Sequence, residues 1–95
     1  MDNDEIIKLY TNAIQTFGII SQLNKLQEEC LECATAWSHY RDDKISLDDF
    51  ISEMVDVEIM IEQMKLFYFN DVWEKTRDMK LNRLKNFMGR SNGPI

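Results

Sequence analysis

Apolar residues recur along this chain at spacings of three and four, and no stretch alternates with a period of two for long, so the pattern predicts helices throughout. The first is expected over about 4–17, with Ile6, Ile7, Tyr10, Ala13, Ile14 and Phe17 as its apolar stripe. Gly18 marks a break. The second is expected over about 19–40, with Ile19, Leu23, Leu26, Cys30, Cys33, Ala34 and Trp37 on one side. A polar connection, Arg41-Asp42-Asp43-Lys44, follows. Ser46, with Asp49 three residues later, is a capping signal. It starts a third helix that runs to about Phe69, with Leu47, Phe50, Met54, Val57, Ile61 and Met64 in register. Asn70 with Asp71 can cap a fourth helix, expected to reach Met88 and stop at Gly89. Residues 91–95 read as a frayed tail. Four helices with short connections predict an all-α fold, a four-helix bundle. The pattern leaves open whether one chain completes the bundle or two chains share it.

Composition sharpens this picture. At 95 residues the chain reads as a single domain, expected over 1–90. A domain so short buries only about 60% of the surface its unfolded chain exposes, so its core is thin. Yet 44% of the residues are hydrophobic, with two Trp, three Tyr, five Phe and six Met. That excess predicts further burial by self-association. The net charge of −6 excludes a basic footprint for nucleic acid. An acidic protein that handles phosphates must do so through a metal or a few local bases. Met1-Asp2-Asn3-Asp4-Glu5 has no apolar region of the signal-peptide kind, and no apolar run approaches a membrane span, so a cytoplasmic location is expected. Cys30 and Cys33 stand at i,i+3 inside a helical pattern with no second Cys/His pair, which favours two small buried thiols over a zinc site.

The charged residues carry the candidate chemistry. Glu28-Glu29-Cys30-Leu31-Glu32 on the second helix is followed, about twenty residues later, by Glu53-Met54-Val55-Asp56 on the third. Glu29 with Glu32, and Glu53 with Asp56, are i,i+3 pairs that each project from one helical face. Facing each other they repel strongly unless a cation lies between them, and a hard divalent ion such as Mg²⁺ suits oxygen donors. On the helical wheel Glu29 and Glu32 fall outside the apolar seam, which centres near Leu26, Cys30 and Trp37. They share a stripe with Gln22, Lys25 and Ala36, so an ordinary solvated face, with Lys25 paired to Glu29, is the competing account. Glu53 intrudes on the flank of the apolar sector between Met60 and Met64. Burial there costs several kcal/mol unless the charge is paired or metal-bound. On the fourth helix Lys80 shares the side of Trp73, Leu84 and Phe87, flanked by Arg77 and Arg83; it either covers apolar surface with its stem or serves an anion. His39 is expected at a helix C-terminus as a cap contact. Trp37, Phe67, Tyr68, Phe69 and Trp73 are expected in the core or an interface rather than as a stacking platform.

With these residues in place, the chain resembles the MazG-like all-α nucleoside triphosphate pyrophosphohydrolases. Their EExxE and ExxD segments correspond to Glu28–Glu32 and Glu53–Asp56, and the likeness extends over about residues 14–85. The resemblance implies Mg²⁺-dependent cleavage of (d)NTPs between the α and β phosphates, with Mn²⁺ as a possible substitute, giving a monophosphate and pyrophosphate. It implies Glu29, Glu32, Glu53 and Asp56 as metal ligands and Glu28 as an outer-shell group that orients or deprotonates water. Lys80 and Arg83 resemble the family's phosphate-holding bases, and Gln22 and Lys25 share the acidic stripe and can reach the nucleotide. A homodimer or homotetramer is implied as the active form. Two other readings compete: a same-fold hydrolase specific for dUTP, dCTP or phosphoribosyl-ATP, and a non-catalytic acidic helical module that dimerises and binds a basic partner.

Overall fold

The structure, a computed structural model, describes residues 1–91. Four helices follow one another: α1 (Asn3–Phe17), α2 (Ile19–Arg41), α3 (Leu47–Phe67) and α4 (Asp71–Ser91). The all-helical expectation therefore holds among the described residues. None of these helices is long and apolar enough to cross a membrane.

Local chemistry sets most of the boundaries. The Asp2 carboxylate accepts the Glu5 backbone N–H at 2.8 Å and opens α1. Gly18 adopts φ +84°, a conformation that L side chains rarely take, and so turns the chain between two helices without a loop. Its N–H donates to the Ile14 carbonyl at 2.8 Å, and its own carbonyl accepts the Gln22 N–H at 3.1 Å. α2 closes in a paired arrangement: Lys44 N–H donates to the His39 carbonyl at 2.8 Å, and Asp43 N–H to that of Tyr40 at 3.0 Å. Asp43 takes the left-handed position with φ 60°. Ser46 Oγ accepts the Asp49 N–H at 3.1 Å, as the capping signal predicts. α3 ends at Phe67, two residues before the expected limit, with Tyr68 N–H on the Met64 carbonyl at 2.8 Å. Asn70 Oδ1 then accepts the Val72 N–H at 2.8 Å at the start of α4. α4 does not stop at Gly89 but continues to Ser91; a helical glycine costs only about 1 kcal/mol. Of the expected tail, Ser91 belongs to α4 and the rest lies outside the described residues.

Packing centres on the α2–α3 hairpin, with α1 laid against both helices. Along α2 the buried and half-buried positions include Ile19, Gln22, Leu26, Glu29, Cys33, Ala36 and Tyr40; along α3 they include Phe50, Glu53, Val57, Met60 and Met64. Spacings that alternate between three and four make this a heptad seam. It is rotated from the expected one. Cys30, Ala34 and Trp37 are exposed, as are Met54 and Ile61, while the stripe of Gln22, Glu29 and Ala36 is buried. An apolar-weighted wheel misplaces such a seam because polar residues occupy several of its positions. Near the connection Tyr40 stacks on Phe50 with ring centroids 5.4 Å apart, and Trp37 lies 5.9 Å from Phe50. α4 makes at most marginal contact with the other helices, and none of its side chains from Asp71 to Arg90 is fully buried.

The Tyr10 hydroxyl of α1 donates to the Glu62 carboxylate of α3. Burial, then this bond, then the charges of Glu62 and Glu58, push the phenol from 10.0 up to about 12. The folded state thus keeps a proton that the unfolded chain releases first, and stability falls as pH rises from 10.0 towards about 12. Tyr10→Phe is expected to cost about 1 kcal/mol at neutral pH and to flatten this alkaline limb. Urea unfolding at neutral and alkaline pH measures both effects.

Candidate metal centre

Because Glu29 occupies a seam position on α2, and Glu53 with Asp56 lies a turn apart on α3, the hairpin brings these three carboxylates together. One oxygen from each lies within 4.8 Å of the others. Glu29 is only 7% exposed. Its Oε1 accepts from Lys25 Nζ at 3.1 Å, and the same ammonium lies 3.6 Å from Glu28 Oε2. The remaining oxygen of Glu29 and Oε2 of Glu53 are buried with no hydrogen-bond partner among the described residues. Oxygens left so cost free energy, because burial removes water and nothing replaces it.

The electrostatics agree with the geometry. Glu32 stands outside the tight group, yet its carboxyl is raised above its ordinary 4.5, first by the charge of Glu29, then by burial, then by Glu53, with Lys25 opposing. Lys25 is itself raised, chiefly by its hydrogen bond to Glu29. Negative charge therefore exceeds what the one local ammonium offsets. All donors in the group are carboxylate oxygens, and two of the three residues, Glu29 and Glu53, each have a buried oxygen without a partner among the described residues. That set fits a hard divalent cation of the Mg²⁺ or Mn²⁺ kind.

Two open grooves flank the cluster. One, of about 550 Å³, is lined by Glu32, Thr35, His39, Asp49, Ser52 and Glu53 among others. The other, of about 950 Å³, lies towards α1 and takes in Phe17, Ile20, Gln22, Lys25, Met60 and Gln63. The expected site residues are thus distributed unevenly. Glu29, Glu53 and Asp56 converge, Glu32 is coupled to them by charge, and Glu28 sits at the exposed edge held by Lys25. Gln22 is buried two turns before Glu29. Lys80 and Arg83 are exposed on α4 and are not packed against the helices that carry the carboxylates. His39 lies in the last turn of α2, where its backbone carbonyl accepts from Lys44 N–H; no side-chain hydrogen bond of His39 is found among the described residues, and it lines the smaller groove. Trp37 and Phe69, expected in the core or an interface, are exposed in the chain. Gln63 escaped the sequence reading: it is buried, and its carbonyl oxygen is also orphaned among the described residues. In the sequence it is one polar residue beside Glu62, between Ile61 and Met64, and nothing there marks it out.

Comparison with protein-family models, curated proteins and solved structures yielded no match.

The raised Glu32 carboxyl makes the metal-free protein less stable as pH climbs. The folded state binds the proton more tightly than the unfolded chain, so the penalty is absent below the ordinary value of 4.5 and grows as pH rises through the raised one. Glu53→Gln removes one of the charges acting on Glu32. In EDTA it is expected to raise the melting temperature at neutral pH and to shrink the difference between acidic and neutral pH. Thermal melts of both proteins across that range are the check.

Proposed function

We propose that this protein is a cytoplasmic, Mg²⁺-dependent nucleoside triphosphate pyrophosphohydrolase of the MazG-like kind, with a role in clearing unwanted (d)NTPs. The observation that supports it most is the convergence of Glu29, Glu53 and Asp56 from two helices, with buried oxygens of Glu29 and Glu53 left without partners. The order of the acidic segments along the chain gives the reading its reaction class. Glu29, Glu53 and Asp56 hold the ion, with Glu32 beside them. When bound, the ion supplies charge neutralisation at the phosphate oxygens and acidifies water.

The chain's own groups do the rest. Glu28, half in solvent and steadied by Lys25, accepts the proton of the water that attacks the α-phosphorus. The α–β anhydride bond breaks, and pyrophosphate leaves. Positioning and electrostatics account for most of the rate, as is usual in phosphoryl transfer. Lys80 and Arg83 stabilise the departing charge. Since α4 stands apart within one chain, this reading includes a homodimer or homotetramer in which α4 of one copy approaches the cluster of another. Exposed Ile51, Met54, Val55, Leu84 and Phe87 supply apolar surface for such an assembly.

Pyrophosphate release from a panel of canonical and modified (d)NTPs, with Mg²⁺ and with Mn²⁺, tests the activity. Glu53→Gln and Asp56→Asn are each expected to lower kcat by roughly 100-fold or more. At a free Mg²⁺ concentration about 100 times Kd, linkage adds about 2.7 kcal/mol, or roughly 13 °C in melting temperature for a domain of this size. Activity confined to dUTP, dCTP or phosphoribosyl-ATP narrows the substrate. Absence of release from every nucleotide, with no effect of Mg²⁺ on melting, refutes the hydrolase and leaves an acidic binding module.

A further inference from the structure

The larger groove has a feature that the phosphate chemistry does not use. Gln63 is 6% exposed and lines this groove beside Met60 and Gln22. Its Nε2 donates only to the Met60 sulfur, at 3.7 Å, a weak acceptor. Its Oε1 has no partner among the described residues. A buried carboxamide with its oxygen unmet and its nitrogen only weakly bonded is costly, and in an apolar setting a leucine or methionine is the easier residue. Gln22, 8% exposed, brings a second carboxamide to the same groove. The remaining wall is apolar where Ala13, Phe17, Ile20 and Met60 line it. Flat apolar walls with a few convergent polar groups are the usual build of a small-molecule site.

We infer that Gln63, with Gln22 beside it, reads the edge of a nucleobase in the groove between α1 and the α2–α3 hairpin, and so sets base preference. A carboxamide presents a donor next to an acceptor, and so does the pairing edge of a base. Rotation about the broad terminal torsion of Gln63 turns either end towards the groove. The smaller groove carries Glu32, Asp49 and Glu53 with no lysine or arginine in its lining, whereas in the larger one Glu28 is accompanied by Lys25. Lys25, at the rim of the larger groove and bonded to Glu29, joins the base site to the carboxylate cluster. This inference rests on the nucleotide reading above, but its ligand contact does not need the hydrolysis.

The test uses the full chain and Gln63→Met, which keeps the side-chain length and removes the orphaned amide, so it is expected to melt at or above the wild type. In EDTA, the Gln63 side-chain amide signals in a ¹⁵N spectrum, assigned by their loss in Gln63→Met, are followed as each of the four deoxynucleoside monophosphates is added. A shift produced by one base in preference to the others is expected. With Mg²⁺ and triphosphates, Gln63→Met is expected to raise KM for the preferred nucleotide roughly tenfold or more, leave kcat nearly unchanged and level the preference among bases. A base-selective amide shift without hydrolysis upholds this site and removes the hydrolase. Hydrolysis with an unchanged base preference in Gln63→Met overturns this site and keeps the hydrolase. No amide shift with any of the four monophosphates at millimolar concentration also overturns it.

Discussion

The α2–α3 seam is a helix-packing interface built around carboxylates, and most of what the molecule can do follows from that. In an ordinary heptad seam, positions such as 29 and 53 carry leucine or isoleucine. Here they carry glutamates, one of them buried, and each has an oxygen that nothing in the described chain satisfies. Burial of an unmet charge costs several kcal/mol, while a domain of this size has a total stability of about 5–15 kcal/mol. Among the described residues the only buried apolar residues are Ala36, Met60 and Met64, and none of them is fully buried, so little hydrophobic gain stands opposite. Lys25 offsets part of the cost, but a half-exposed i,i+4 pair contributes a few tenths of a kcal/mol. This unmet cost is the physical ground on which the proposed function gives the seam a cation.

The same shortage of interior appears at a larger scale. Twenty-odd large apolar side chains remain exposed, and they include residues of α3 that point away from α2 as well as much of α4. One explanation serves both facts. A hairpin that spends its inner face on carboxylates has its remaining apolar residues on outer faces, and the homo-oligomer of the proposed function would cover them. In that arrangement α4 changes from an isolated helix into a wall of the neighbouring site.

Much of the fold was legible in the sequence. Gly18, Ser46 with Asp49, and Asn70 each act as their residue types predict, because capping is a local matter decided within four residues. The Lys25–Glu29 pair and the intrusion of Glu53 on the core were legible for the same reason. The rotation of the seam was not. A wheel that weighs only apolar residues assigns Glu29 to solvent and Trp37 to the core, and the structure reverses both. The burial of Glu29 depends on how α3 lies against α2, which no single helix records. Asp43 in the left-handed position and the continuation of α4 through Gly89 were likewise invisible, since each departs from the residue preferred at such a place. Gln63 was missed because an amide beside Glu62 on a helix looks like ordinary surface until its burial is seen and its oxygen is found without a partner among the described residues.

Charge balance carries the proposed mechanism one step further. Glu29, Glu32, Glu53 and Asp56 stand against a single nearby ammonium, Lys25. A triphosphate brought to that surface adds more negative charge than one divalent ion removes. The chain has only a few bases to spare, and Lys80 with Arg83 lies on the helix that is least engaged with the rest. Under the proposed function the substrate would be held in one of two ways: by a second cation in the same carboxylate group, or by α4 bases delivered across a subunit contact. Dilution separates them. Bases delivered by a partner make affinity for the triphosphate fall as the assembly dissociates, whereas a second cation makes it depend steeply on the metal concentration alone.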